Sequence, residues 1–227
     1  MSLLHSANQD EPRPHPDVLA GKVFIVDDDV SVREALESLI RHTGLQVKSF
    51  SCAQRFLDYP HLLEPCCLLL DVSMPGVTGL ELQQSIAVDK PAMPIIFITG
   101  REDARTIVQA MKAGAVEFLT KPLDIEKLLD AIQSAIARSE LLVRHEVRKA
   151  TVKARYRELT RREREVFALV VEGLLNREIG NALSISEITV KAHRGQVMRK
   201  MEANTLAELF RIANEISPRQ PFDQPGS

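Results

Sequence analysis

The 227-residue chain contains no run of roughly 18 consecutive apolar residues, so no segment is long enough to span a bilayer as a helix. From Met1 to Asp17, Pro12, Pro14 and Pro16 stand among polar residues, and the apolar core of a secretory signal is missing. Residues 1–19 therefore read as a disordered leader, and residues 218–227 as a disordered tail. Cysteine is scarce, with three residues, two of them the adjacent Cys66 and Cys67. That pattern supplies neither a disulfide framework nor metal-ligand spacing, and it suits buried thiols in a reducing cytoplasm. What remains is ordinary for a soluble globular protein: 44% hydrophobic and 26% charged residues, in a length that fits one or two domains.

The net charge of −2 hides an asymmetry. Between Ala20 and Ala137 there are 11 Lys/Arg against 16 Asp/Glu, a net of −5; between Arg138 and Ser217 there are 16 against 11, a net of +5. An acidic half joined to a basic half suggests two tasks, the second on a polyanion.

In the acidic half, short apolar runs alternate with helix-period segments. Strands are expected at Lys22–Val26, Leu45–Phe50, Cys67–Leu70, Ile95–Ile98 and Val116–Leu119. Helices are expected at Val30–His42, Ala53–Leu57, Leu80–Val88, Ala104–Ala113 and from about Asp124. Five β/α repeats with short connections imply an α/β fold with a parallel, doubly wound sheet. Such sheets place their chemistry at the carboxyl ends of the strands. Asp27, Asp28 and Asp29 end the first strand, Asp71 the third and Thr99 the fourth, and Lys121 and Pro122 follow the fifth. Taken singly, each acid is an ordinary turn or helix cap. Taken together, the carboxylates repel one another, and Mg²⁺, which binds carboxylate oxygens and keeps waters for phosphate, would relieve that repulsion.

The stretches VDDD, LDVSMPGVTG, FITG and FLTKP make residues 20–137 resemble the receiver domain of bacterial two-component response regulators. The resemblance implies a flavodoxin-like sheet of order 2-1-3-4-5, with Asp71 as phosphoacceptor. It implies that Asp27, Asp28, Asp71 and the backbone carbonyl of Ser73 bind Mg²⁺. Thr99 and Lys121 would contact the phosphoryl oxygens, and Phe118 would be the switch aromatic. Asp29 falls outside the family's acidic pair and is expected to cap a helix. A cognate sensor histidine kinase would supply the phosphoryl group, and phosphorylation would promote a homodimer through the face holding Val108, Lys112 and the segment after Asp124.

Beyond Leu123 no Pro or Gly occurs before Gly173. Leu128, Ile132, Ile136, Ser139, Val143, Val147, Ala150 and Ala154 form a nearly heptad seam. Residues 138–158 are thus a helical linker, either part of one rod from Asp124 to about Arg157 or two helices with a bend. After it, Thr160 and Glu163 have capping-box spacing. Helices are expected to about Val171, over Arg177–Leu183, and from a Ser186 cap to Met201 with Ile188, Val190, Val197 and Met201 inward. Two helices at a sharp turn, the second basic, suggest a helix-turn-helix.

The pieces LTRRE, EGLLNREI and SISEITVKAH make Leu159 to about Ala213, within a domain expected over residues 159–217, resemble the LuxR-type DNA-binding domain, and the whole chain the NarL/FixJ class of response regulators. On that resemblance Lys191, Ala192, Arg194 and Gly195 face the major groove of double-stranded DNA. His193, Arg199 and Lys200 become phosphate or packing positions, and Ser186 and Thr189 lie at the anion-friendly helix start. Gly195 and Ile188 depart from the family pattern. The expectation is a cytoplasmic transcription regulator, not an enzyme beyond assisting its own phosphorylation and dephosphorylation, with no membrane association. Two alternatives are a Mg²⁺-dependent phosphatase of the aspartyl-phosphate type and a DNA-binding protein indifferent to phosphorylation.

Overall fold

A computed structural model describes residues 21–60, 63–89, 92–100 and 104–216. The expected leader and tail lie outside these residues. By compactness the chain divides between Val143 and Arg144 into two units.

The first unit alternates β1 (Lys22–Val26), α1 (Val30–Arg41), β2 (Gln46–Phe50), α2 (Ala53–Leu57), β3 (Cys66–Asp71), α3 (Gly79–Asp89), β4 (Ile95–Thr99), α4 (Ala104–Lys112), β5 (Glu117–Thr120) and α5 (Ile125–Arg157). All strand pairs are parallel, in the order β2-β1-β3-β4-β5, as expected. The apolar runs of β3 and β4 are buried throughout because helices cover both faces of the sheet. Strand alternation divides those runs between two cores. Phe24, Val26, Leu68, Leu70 and Phe97 pack with α2, α3 and α4, whereas Val23, Ile25, Leu69, Ile96 and Ile98 pack with α1 and α5. Asp29 caps α1 by accepting from the Ser31 and Val32 amides.

Asp71 and Thr99 lie inside β3 and β4 rather than just after them, and β5 is displaced by one residue to Glu117–Thr120. The seam expected along the linker is real only as far as Val143. Leu128, Ile132, Ile136, Ser139 and Val143 are buried, but Val147, Ala150 and Ala154 are exposed and Val152 is buried instead. α5 is one uninterrupted helix rather than two shorter ones. The fully buried Ser139 interrupts its apolar face, with a hydroxyl that accepts from the Cys66 amide at 3.0 Å and donates to the Ala92 carbonyl at 2.6 Å. Those bonds tie α5 to the amino ends of the central strands.

In the second unit, the last turns of α5 are followed by α6 (Arg161–Val171), α7 (Asn176–Leu183), α8 (Glu187–Lys200) and α9 (Leu206–Ile216). Val152, Leu159, Val166, Phe167, Val170, Ile179, Val190, Val197, Met201, Leu209 and Ile212 form its core. α9, which is not among the helices expected from the sequence, contributes Leu209, Ile212 and Ala213 at helical spacing. The Thr160–Glu163 capping box is complete. Gly173, at φ 93°, ends the α6 segment in the left-handed region that glycine tolerates best.

Candidate functional site

The sheet register sets the first site. Val26 of β1 is opposite Leu70 of β3, so Asp27 and Asp71 are the next pair at the carboxyl edge. Thr99 of β4 is opposite Thr120 of β5, which brings Lys121 to the same edge. The Lys121 amide donates to the Thr99 carbonyl at 2.7 Å, holding the turn that carries the side chain. On the other flank Gly79 opens α3 against the end of β3. A Cβ there would lie 2.6 Å from the Asp71 carbonyl oxygen, so only glycine allows the helix to start so close.

The side chains meet as those backbones dictate. Lys121 Nζ donates to Asp27 Oδ2 at 3.0 Å and to Asp71 Oδ2 at 3.2 Å. Asp27 Oδ1 accepts from the Asp29 amide at 2.8 Å, and Asp71 Oδ1 from the Ser73 amide at 3.1 Å. Each buried carboxylate is therefore bonded at both oxygens. Burial pulls the Lys121 ammonium pKa down, but the hydrogen bonds and charges of Asp27 and Asp71 outweigh it and leave the pKa above 10.5. Lys121 stays cationic at neutral pH.

Asp27, exposed Asp28 and Asp71 each offer a carboxylate oxygen, all within 4.8 Å of one another. An all-oxygen, triply acidic set of this kind suits a hard divalent cation and is wrong for a soft one. Ser73 is exposed beside it, and Thr99 is buried at the end of β4. Phe118 on β5 is half-buried, with its ring 6.2 Å from that of Phe97 on β4, so β4 stands between it and Asp71 on β3. The structure thus brings Asp27, Asp28, Asp71 and Lys121 into one cluster.

The second site lies on α8. Ser186 caps it by accepting from the Thr189 amide at 3.1 Å, and the two hydroxyls lie 2.8 Å apart. The turn from α7 is tight. A Cβ on Gly180 would lie 2.8 Å from the Ile185 carbonyl, and Ser184 takes a left-handed conformation at φ 54°. α8 buries Val190 and Val197 and exposes Lys191, Ala192, Gly195 and Arg199 on the opposite face.

Two expectations for α8 need correction, those for Ile188 and Arg194, and of the two roles expected for Lys200 the packing one is seen. Ile188 is not inward: it is 80% exposed, because it lies on the Lys191–Ala192–Gly195 face and away from Val190. Arg194 is half-buried and donates to Asn176 Oδ1 at 2.7 Å, which holds it off the exposed face. Lys200 packs inside the unit, donating to Glu163 Oε2 at 2.7 Å and to the Glu158 carbonyl at 3.2 Å. His193 is half-buried, and Arg199 is held by Gln196. Asn176 is a residue the sequence reading missed, since its partner lies 18 positions away with no local signal.

Comparison with known proteins bears on both sites together. Residues 23–133 match the response regulator receiver domain, and residues 157–213 match the bacterial regulatory proteins of the luxR family. The response regulator protein TmoT of Ectopseudomonas mendocina is 41% identical over 204 residues, covering 90% of this chain and 93% of TmoT. The chain belongs to the NarL/FixJ class of two-component response regulators. The transcriptional regulatory protein FixJ of Bradyrhizobium diazoefficiens is 38% identical over 193 residues, covering 85% of this chain and 94% of FixJ. The solved structure of the response regulator StyR has 39% identity and a TM-score of 0.74, covering 86% of this chain and 99% of that one. As a NarL/FixJ-class regulator, the protein controls transcription in response to phosphorylation, with the acidic cluster in its receiver and α8 in its LuxR-type domain. Among the described residues, no helix is long and apolar enough to cross a membrane.

Proposed function

We propose that Asp71 is the phosphoacceptor of this regulator and that its aspartyl phosphate raises the affinity of α8 for double-stranded DNA. The observation that carries this reading is Lys121, whose ammonium reaches both buried carboxylates, Asp27 and Asp71, at the carboxyl edge of the sheet. An oxygen of Asp71 attacks the phosphorus of a phosphohistidine on a cognate sensor kinase. The P–O bond forms as the P–N bond breaks, and the imidazole leaves with the electron pair. Lys121 places fixed positive charge where the transferring group gathers negative charge, and its raised pKa keeps that charge in place. The chain acts on no separate substrate, only on its own phosphorylation and dephosphorylation.

Asp27, Asp28, Asp71 and the Ser73 carbonyl would hold Mg²⁺, which when bound supplies charge neutralisation to the phosphoryl oxygens. Thr99 contacts a phosphoryl oxygen, and Phe118 follows its movement, so a pair of side chains carries the switch. The exposed apolar residues Val108 and Met111 of α4 and Ile125 of α5 favour a homodimer of phosphorylated receivers. Residues 20–137 serve as receiver, 138–158 as helical linker and 159–217 as DNA-binding domain, working in the cytoplasm. Lys191, Ala192 and Gly195 read the major groove, with Ser186, Thr189 and Arg199 toward the phosphates. The test is acetyl-phosphate labelling with Mg²⁺. Wild type should gain one acid-stable, base-labile phosphoryl group and sediment faster, and Asp71→Ala should gain none. Equal labelling of both proteins would remove Asp71 from the role.

A further inference from the structure

Ile188 is the most exposed large apolar side chain among the described residues, at 80%. It stands in the first turn of α8, where Ser186 already supplies the cap, so the fold gains neither burial nor capping from it. As a β-branched residue it is also a modest helix former. Its surroundings give it a different use. Ile188, Lys191, Ala192, Gly195 and Arg199 recur at i, i+3, i+4, i+7 and i+11, one face of the helix, opposite buried Val190 and Val197. Ala192 ends at its Cβ, and nothing lies within 4 Å of where a Cβ on Gly195 would be, so the middle of that face is low. Ile188 rises from its N-terminal end, an apolar knob on a face whose other long side chains, Lys191 and Arg199, are cations, with exposed Glu187 beside it in the first turn.

The charge on that face suits a polyanion, and the major groove is where a polyanion displays an isolated apolar group. The groove shows hydrogen-bonding edges for every base pair, and only thymine adds a methyl. Recognition helices also reach base edges with their N-terminal residues, which is where Ile188 lies. We propose that Ile188 is a specificity-determining residue that packs on the 5-methyl group of a thymine in each half-site. This rests on α8 being the helix that enters the groove. Lys191 supplies polar readout one turn further along, and the low floor at Ala192 and Gly195 lets the helix approach closely enough for Ile188 to touch.

The experiment uses the full-length, acetyl-phosphate-treated protein. Wild type selects its preferred duplex from a random pool, and each thymine of that duplex is then replaced in turn by deoxyuridine, which lacks only the methyl. Deoxyuridine at one position per half-site should weaken wild type about fourfold per half-site, the worth of one buried methyl-sized group. The same substitution should leave Ile188→Ala, whose thermal midpoint should match wild type, unaffected. Identical deoxyuridine profiles for wild type and Ile188→Ala would overturn the assignment. Lys191→Ala separates the two levels of the argument. If it loses sequence preference while the profiles stay identical, α8 reads DNA without Ile188; if it keeps the full wild-type preference, the groove-reading role of α8 fails and this assignment with it.

Discussion

The two units handle polar side chains in opposite ways. In the receiver, the carboxylates proposed for the chemistry are buried and share one ammonium, that of Lys121: Asp27 is 2% exposed and Asp71 7%. In the LuxR-type unit, the α8 residues proposed to meet DNA are exposed, while the face that folds the helix lies opposite them. The difference follows from the ligands. A phosphoryl group is small and must be gripped from several strand ends, so its site is part of the core. A duplex is large and is met by one helix, so its site can be a surface. Substitutions in the first site should therefore disturb chemistry and packing together, and those in the second should alter recognition while leaving the fold intact.

The largest effect should come from Lys121→Met, which keeps most of the unbranched stem and removes the ammonium. Phosphorylation of Asp71 by acetyl phosphate should slow by about 100-fold, the usual cost of losing one preorganised donor to a transferring group. A stopped-flow or mass-spectrometric time course measures it. A rate within a factor of two of wild type would mean that the ammonium between Asp27 and Asp71 is an ordinary ion pair.

Ser139→Ala sharpens the contrast within the receiver, since Ser139 is buried and polar but far from the acids in role. It should leave the Cys66 amide and Ala92 carbonyl without their partner and cost about 1 to 3 kcal/mol in urea unfolding, with the phosphorylation rate unchanged. A loss of labelling as large as the Lys121 variant's would mean the pin also positions the site.

Glu163 is the exception in the second unit, a buried carboxylate paired with Lys200. Burial pushes its pKa up, but hydrogen bonds from Lys200 and Thr160 outweigh that and hold it below the ordinary 4.5. A carboxyl depressed in the folded state contributes its full stability above 4.5 and loses it as pH falls through the folded value. Glu163→Gln should thus lower the thermal midpoint at pH 7, and the gap from wild type should narrow below pH 4.5. A gap that is constant with pH would assign the loss to packing.

The same contrast explains what could be read from sequence. The α/β alternation, the strand order that the receiver resemblance implied and the convergence of Asp27, Asp71 and Lys121 were legible, because parallel strands carry their own rule about where polar residues gather. The capping box at Thr160 and Glu163 was legible because it is local. Ser139 looks like an ordinary seam position in the sequence because its partners lie 73 and 47 residues away. Arg194 was assigned to DNA because nothing local announces Asn176. The exposure of Ile188 was missed because an apolar residue in a short basic helix fits either face until the core around Val190 is known. α9 went unread although its helical spacing was there to be seen.

If a phosphoryl group on Asp71 governs what α8 does, the affinity for DNA must follow it. Binding of a selected duplex should be compared for untreated wild type, acetyl-phosphate-treated wild type and Asp71→Ala treated in the same way. Treatment should tighten wild-type binding by about tenfold, within the range usual for coupled sites, and leave Asp71→Ala at the untreated level. Equal affinities in all three would contradict the account.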